Sequence, residues 1–169
     1  MTLFAENKDL AVRQFIVSDL TDFSTLVGNA KSMKYCPTGK LNPQQAEQLF
    51  TNIITQAQRN KYCLYAIEDK KHSQVIGLVG LQECAMEDDI GLSFVYRILP
   101  EYNDNVSIPA LFSQFIKHLL VIHKLSKMNA VIAKKNLPTL TLMASLNFKP
   151  ISVVVCRGID SFLYRYSPE

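Results

Sequence analysis

The stretch from Arg97 to Lys124 reads RILPEYNDNVSIPALFSQFIKHLLVIHK and predicts the end of a strand, a polar loop and a long helix over 107–124. Ser107 is expected to cap the helix, and Pro109 suits a first turn whose N–H groups have no partner within the helix. One face of the helix is apolar, and it consists of Ile108, Leu111, Phe112, Phe115, Ile116, Leu119 and Leu120.

A strand that enters a helix through a polar loop forms a natural site for an anion such as phosphate. Free N–H groups and the positive end of the helix dipole meet there. An ordinary strand-to-helix connection has the same pattern, so the stretch alone leaves both interpretations open.

Two helices are predicted before this stretch. The first begins at Ser18 or Asp19 and ends at Gly28-Asn29. The second begins at Asn42, because Pro43 and Gln45 complete the pattern of a cap, an N1 proline and a capping box. Alternating and β-branched residues predict strands over 10–17, 62–68, 74–82 and 90–99. The last of these strands is long, and a bulge or a long β-arm would account for its length.

After the long helix, the sequence predicts a strand over 128–134 and a short helix over 136–146. Asn147 is expected in the left-handed conformation that closes this helix, with Phe148 packing back on it. A closing hairpin is predicted from the strands 151–157 and 162–166. The element order is therefore β-α-α-β-β-β-α-β-α-β-β, an α/β fold with a mixed central sheet, helices on both faces and a single domain over 1–169.

Composition narrows the classes of function. A hydrophobic share of 48% and a charged share of 20% are typical of a globular domain. The net charge of +3 is too small to indicate a nucleic-acid partner. The 4 cysteines form no C-x-x-C pair, which argues against a zinc site and favours reduced thiols in the cytoplasm. The cysteine spacing therefore gives no reason to expect a metal. No apolar run reaches the roughly 20 residues of a membrane span, so no membrane partner is expected.

Four segments carry a resemblance: LAVRQFIVSD at 10–19, DIGLSF at 89–94, YNDNVSIPA at 102–110 and NLPTLTLMASLNF at 136–148. In this order and spacing they resemble the GNAT superfamily of acetyl-CoA-dependent N-acetyltransferases, and within it the RimJ/RimL type, which acetylates protein N-termini. That branch has the loop W-G-x-G-Y-A-T-E-A and the helix N-x-x-S-x-x-V-L-x-x-L-G-F. The matching positions are Tyr102, Asn103, Asn105, Ser107 and Ala110 in the loop, and Asn136, Thr139, Leu142, Met143, Leu146, Asn147 and Phe148 in the helix.

The sequence departs from this pattern at several loop positions. Asn103, Asn105 and Asn147 stand where the family has Gly, and Asn is the residue other than Gly that best tolerates left-handed backbone. The same backbone shape is therefore expected at all three. Asp104 places a negative charge where the family often has a basic residue, and Pro109 replaces its Glu.

The resemblance implies a site for acetyl-CoA as the acyl donor. Its pyrophosphate would lie at the 102–107 loop, and its pantetheine arm would enter between the fourth and fifth strands where these splay apart. The implied cofactor-binding residues are Ile98, Leu99, Tyr102, Asn103, Asp104, Asn105, Val106, Ser107 and Asn136. The resemblance also implies an acceptor groove lined by Lys34, Tyr35 and Cys36, which are otherwise ordinary loop surface.

Direct transfer of an acetyl group needs an acid for the leaving thiolate and a base for the amine, and it needs no covalent enzyme intermediate. Thr139 occupies the position of the family's Ser and is the candidate acid, although a Thr in a first helical turn can serve as a cap. Glu83 and Asp89 are the candidate bases, although turn or surface carboxylates fit both positions. Tyr96 is a further hydroxyl candidate.

Two functions follow from these residues. The first is an N-acetyltransferase that acts in a ternary complex on a primary amine, either a protein N-terminus or a small molecule. The second is a catalytically impaired GNAT-fold binding protein, which the substitutions at Asn103, Asp104, Asn105 and Pro109 favour. Either a monomer or a homodimer is expected.

Overall fold

The computed structural model describes residues 1–59, 62–84 and 91–168, which form eight strands, four α-helices and two short 3-10 helices. The strands are β1 Leu3–Glu6, β2 Leu10–Arg13, β3 Leu64–Asp69, β4 Gln74–Cys84, β5 Gly91–Ile98, β6 Met128–Ala133, β7 Lys149–Cys156 and β8 Ile159–Tyr166. The helices are α1 Leu20–Val27, α2 Pro43–Gln58, α3 Ile108–Ile122 and α4 Leu137–Ser145.

All eight strands belong to one mixed sheet, in the order β1-β2-β3-β4-β5-β6-β8-β7. Neighbouring strands are antiparallel except β5 and β6, which run parallel. Those two strands are paired only at Ser93 and Asn129, whereas β5 pairs with β4 from Gly91 to Ile98. The predicted fold class is confirmed, and the parallel strands separate beyond their single pair.

Helices cover both faces of the sheet. Phe94 and Tyr96 of β5 lie against Phe112 of α3. The aromatic rings of Phe23 in α1 and Phe50 in α2 pack together on the other face. Because successive side chains of a strand point to opposite faces, Val95 and Arg97 face away from α3. All seven residues of the predicted apolar face of α3 are buried, which fixes the start of α3 beside the end of β5.

The first predicted strand, over 10–17, is longer than the strand in the structure. The strand is only Leu10–Arg13, and the N-terminal strand β1 pairs with it in antiparallel orientation. The chain leaves the sheet after Arg13. The guanidinium of Arg13 forms a buried ion pair with Asp19 at 2.7 Å, and this pair draws the following residues into a turn. The Asp19 carboxylate also accepts the Ile16 N–H at 2.9 Å, which begins the turn into α1.

Other local predictions agree with the structure. Asn42 accepts the Gln45 N–H, and Gln45 in turn accepts the Asn42 N–H, which completes the capping box of α2. Asn147 is left-handed with φ 67°, and the Phe148 N–H returns to the Met143 carbonyl. The register between 77–84 and 91–98 contains no bulge, so β4 and β5 form a long regular arm.

Candidate active site

The loop between β5 and α3 is a series of tight turns. Main-chain hydrogen bonds join Tyr102 to Leu99, Asn103 to Pro100 and Ile108 to Asn105. Asn103 has φ −58° and ψ −33°, which is ordinary right-handed backbone. Asn105 is also absent from the described residues with positive φ. The expectation that Asn103 and Asn105 supply left-handed backbone is therefore wrong, because the loop turns without that conformation.

Asn105 instead uses its side chain. Its Oδ1 accepts the Ser107 N–H at 2.8 Å, an Asx turn that leads into α3. The predicted side-chain cap by Ser107 is wrong, since that residue makes no capping hydrogen bond. Within the described part of the chain, the N–H groups of Asp104, Val106 and Ala110 hydrogen-bond to no other group. These three donors are the ones that a phosphate at this helix start can use.

A cleft of about 580 Å³ opens beside this loop. Seven of the predicted site residues line it, namely Ile98, Asn103, Asp104, Asn105, Val106, Asn136 and Thr139. Leu99, Tyr102 and Ser107 lie outside its lining, and Leu99 is buried in the core. The structure therefore brings the loop, the end of β5 and the start of α4 to one cleft, which we call the donor cleft.

Tyr102 anchors the loop to β3. Its hydroxyl donates to Asp69 Oδ2 at 2.8 Å, and this bond raises the pKa of Tyr102 to about 12. A hydrogen bond from His72 and the one from Tyr102 lower the pKa of Asp69 to about 2. Tyr102 is thus a neutral donor and Asp69 an ionised acceptor at neutral pH. Their bond holds the first turn of the loop against the sheet.

Thr139 lies on the first turn of α4 and faces β5. The Asn136 side chain accepts the Thr139 N–H at 3.3 Å and caps the helix. The Thr139 hydroxyl lies 2.9 Å from the hydroxyl of Tyr96. Burial raises the pKa of Tyr96, although the hydrogen bond with Thr139 acts in the opposite direction. A neutral Tyr96 at pH 7 can therefore donate a proton toward Thr139.

The separation of β5 from β6 leaves a narrow slot of about 70 Å³. It begins just beyond Ser93, whose Oγ accepts the Val131 N–H at 3.1 Å. Tyr96, Thr139, Tyr35 and Arg97 are among its lining residues. Tyr35 and Arg97 also line the donor cleft and a further pocket on the α1–α2 side of the sheet. The slot therefore shares lining residues with cavities on both faces of the sheet.

Two cavities lie on the α1–α2 side, and together we call them the acceptor side. The smaller, of about 120 Å³, includes the exposed Glu83, and the larger has about 360 Å³. Tyr35 lines the smaller cavity and Cys36 lines both, whereas Lys34 lines neither. Glu83 lines the smaller cavity and Thr139 lines the donor cleft and the slot, so these two candidates share none of these cavities. Asp89 lies outside the described residues.

Sequence reasoning underrated two residues of β5. The sequence makes Tyr96 only a secondary hydroxyl candidate and gives Arg97 no role in the site. The alternation of the strand offered a signal for both. It places Tyr96 on the same face as Phe94 and Ile98, and it places Arg97 on the opposite face. Their position at the slot could not be foreseen, since it depends on where β6 departs from β5.

A family model described as an acetyltransferase (GNAT) domain matches residues 9–149. The chain belongs to the GNAT acetyltransferase family. This match confirms the enzyme class expected from the sequence, an acyltransferase of the GNAT type. No curated protein sequence is significantly similar to this GNAT domain.

Solved structures share the fold of this GNAT domain. The ribosomal-protein-S5-alanine acetyltransferase of Vibrio fischeri is 16% identical, with a TM-score of 0.80 over 99% of this chain and 97% of that one. RimL, a ribosomal L7/L12 α-N-protein acetyltransferase in complex with coenzyme A, is 11% identical, with a TM-score of 0.81 over 98% of each chain. The spermidine N-acetyltransferase of Vibrio cholerae, in complex with coenzyme A and spermine, is 20% identical, with a TM-score of 0.76 over 95% of this chain and 96% of that one.

Two further kinds of site are absent from the described residues. No helix in that part of the chain is long and apolar enough to cross a membrane. No group of three or more His, Cys, Asp or Glu side chains there could hold a metal ion.

Proposed function

We propose that this GNAT domain transfers the acetyl group of acetyl-CoA to a primary amine by direct attack in a ternary complex. The observation that carries the proposal is the hydroxyl pair of Tyr96 and Thr139, which lies where the donor cleft meets the slot. Solved structures of the same fold are named an α-N-protein acetyltransferase and a spermidine N-acetyltransferase, so both kinds of amine are candidate acceptors.

The donor would lie across the donor cleft with its pyrophosphate at the 103–106 loop. The N–H groups of Asp104, Val106 and Ala110 would hold the phosphates, together with the positive end of the α3 dipole. The pantetheine arm would follow β5 into the slot. Asn136 is engaged as the cap of α4, so in this proposal it positions Thr139.

The reaction would form a carbon–nitrogen bond, break the carbon–sulfur bond, deliver a proton to the sulfur and remove one from the nitrogen. The amine nitrogen would attack the thioester carbonyl carbon, and the Thr139 hydroxyl would donate a proton to the departing sulfur. Tyr96 returns a proton to Thr139 across their 2.9 Å contact and is reprotonated from water. The amine loses its proton to a base, and Glu83 on the acceptor side is the described candidate for that role.

A GNAT-fold binding protein without turnover is the second candidate. Two observations favour it: the Asn105 side chain already occupies the Ser107 N–H, and Asp104 places a carboxylate in the lining of the donor cleft. Both features oppose phosphate binding at this loop.

Mass spectrometry of a reaction with acetyl-CoA and a mixture of amines tests the proposal. The mixture would contain N-terminal peptides and spermidine, and each substrate would be incubated with the wild-type protein and with Thr139→Ala. We expect an acetylated amine that is formed faster by the wild type. Coenzyme A binding without any acetylated product would contradict the proposal and support the binding protein.

A further inference from the structure

Two arginines line both cavities of the acceptor side. Arg97 at the end of β5 and Arg157 in the turn between β7 and β8 both line the smaller and the larger cavity. The larger cavity combines apolar residues such as Met33 and Leu49 with amide side chains, including Gln45. Its described lining contains no carboxylate, and that of the smaller cavity contains only Glu83.

Neither arginine is neutralised within the described ranges 1–59, 62–84 and 91–168. No carboxylate oxygen there lies within 4.0 Å of either guanidinium. Arg97 is also held in place, because its Nη1 donates to the Tyr96 carbonyl at 2.6 Å. The contrast is Arg13, which forms ion pairs with both Asp19 and Glu68. A guanidinium held at a cavity wall without a counter-ion is ready to bind one from a ligand.

The charge of Arg97 acts on its surroundings. Burial raises the pKa of the Cys36 thiol, but a hydrogen bond with Thr38 and the charge of Arg97 outweigh it, so the net pKa is lowered. Cys36 lines both cavities beside Arg97. The positive potential of the guanidinium therefore extends into the space that an acceptor would occupy.

We propose that the acceptor is a primary amine that carries a carboxylate, which Arg97 and Arg157 bind while the amine enters the slot. This inference rests on the proposed function and names its substrate class. Planar guanidinium groups bind carboxylates with paired hydrogen bonds. Arg97 also lines the slot, so the carboxylate lies within a few bonds of the amine. A free amino acid and a peptide with an acidic residue at its start both satisfy this geometry, whereas spermidine would be repelled.

Matched pairs of acceptors test the inference. A free amino acid is compared with its amide, and a peptide beginning Ser-Asp with one beginning Ser-Asn, with spermidine as a third arm. We expect kcat/KM to favour the carboxylate of at least one pair by roughly tenfold or more, which is typical of a hydrogen bond to a charged group. The ratio of kcat/KM for acid over amide is compared between the two pairs. A larger ratio for the amino acid indicates an amino acid acceptor, and a larger ratio for the peptide indicates a peptide acceptor.

Variants assign the preference to the arginines. Arg157→Gln is expected to reduce the ratio severalfold, and Arg157→Lys to retain part of it. Arg59→Gln is the control, because Arg59 ends α2 and lines neither cavity. Equal rates on acid and amide, or a preference for spermidine, would overturn the inference while the acetyltransferase function stands.

Alkylation of Cys36 provides a test that needs no turnover. Iodoacetamide labelling is followed at Cys36 by peptide mass spectrometry, with coenzyme A present. A bound carboxylate would neutralise Arg97 and slow the labelling, whereas the matched amide would leave the rate closer to that of the free protein. Arg97→Gln should slow labelling without any ligand. Equal protection by acid and amide would overturn the inference. A protein that binds coenzyme A but acetylates no amine would overturn the proposed function, and protection by the acid alone would then show the two arginines to be a carboxylate-binding site without an acceptor role.

Discussion

At the scale of single residues, Thr139 and Tyr96 carry the proposed chemistry. Thr139→Ala is expected to lower kcat by roughly tenfold or more, because general acid catalysis is lost when the thiolate leaves. The Kd for acetyl-CoA should change little, since the hydroxyl acts on the transition state. Thr139→Ser keeps the hydroxyl and should retain most of the activity. Steady-state kinetics combined with calorimetric titration separates these effects.

Tyr96→Phe removes the hydroxyl partner of Thr139 and, like Thr139→Ala, should lower kcat. Tyr62→Phe is the matched control, because Tyr62 is 39% exposed and packs on His123 away from the slot. Should Thr139→Ala and Thr139→Ser lose activity and melting temperature equally, Thr139 would have only a structural role at the start of α4.

Asn105 allows a second prediction. Asn105→Gly removes the hydrogen bond to the Ser107 N–H and should lower the free energy of unfolding by about 0.5–1.5 kcal/mol. The freed N–H becomes a further donor, so coenzyme A should bind at least as tightly as before. Calorimetry and chemical denaturation measure the two effects. Markedly weaker binding would show that the Asn105 side chain itself contacts the ligand.

The asparagines show what sequence reasoning can and cannot predict about single residues. Asn147 is left-handed as expected, because it follows a helix whose end requires that conformation. Asn103 and Asn105 are not, although the same argument applied to them. A short side chain with a carbonyl favours left-handed backbone and Asx turns alike. The choice between them depends on the surrounding loop, which one sequence does not determine.

At the scale of elements, Asp69 joins the end of β3 to the loop before α3. Its folded pKa of about 2 lies below the ordinary value of 3.8, so its contribution to stability is present above about pH 4 and is lost as the pH falls toward 2. Asp69→Asn should therefore lower the free energy of unfolding by about 1–2 kcal/mol at pH 7, and the difference should vanish near pH 2. Denaturant titrations at several pH values measure it.

Asp160→Asn is the control for this prediction, since Asp160 is exposed in the closing hairpin and no side-chain hydrogen bond joins it to the described residues. A difference between Asp69→Asn and the wild type that stays constant with pH would contradict the ionic origin of the effect.

The elements themselves were largely predictable from sequence. The apolar face of α3 and the capping box of α2 are local patterns, and both are present in the structure. Strand β1 was missed because its four residues, Leu3–Glu6, are too few for a periodic signal and gain their order by pairing with β2. Long-range pairing of this kind leaves little trace in the sequence of the segment itself.

At the scale of the whole molecule, binding of acetyl-CoA should be visible as thermal stabilisation. A ligand at 100 times its Kd stabilises the folded state by about 2.7 kcal/mol. Each kcal/mol raises the melting temperature of a domain this size by roughly 2–4 °C, so the expected rise is about 5–10 °C. Differential scanning fluorimetry with acetyl-CoA measures it.

The charge of Asp104 opposes phosphate binding, so the rise in melting temperature should lie at the low end of the expected range. Asp104→Lys should increase the rise, most clearly at low ionic strength. Glu101→Lys is the matched control, because Glu101 lies in the preceding turn but outside the lining of the donor cleft. No shift with the wild type at millimolar acetyl-CoA, and none with Asp104→Lys, would contradict a working donor site.

The candidate site was predictable more fully on the donor side than on the acceptor side. The order of strand, loop and helix, together with the resemblance to the GNAT superfamily, identified seven residues that line the donor cleft. On the acceptor side, the resemblance implied Tyr35 and Cys36, which line its cavities, whereas Arg97 and Arg157 are far apart in sequence and are brought together by the sheet order. No local pattern marks such a combination.

The single pair of Ser93 with Asn129 makes the slot sensitive to small rotations. The open end at Arg97 lies four residues from this pair, about 13 Å at the rise of an extended strand. A rotation of about 5° between the strands at Ser93 would therefore change the width of the slot by about 1 Å, close to one methylene group. We therefore expect the tolerance for acyl chains longer than acetyl to be set at this pivot, some distance from the reacting carbon. Ser93→Ala, which removes the bond to the Val131 N–H, should shift the ratio of propionyl-CoA to acetyl-CoA turnover.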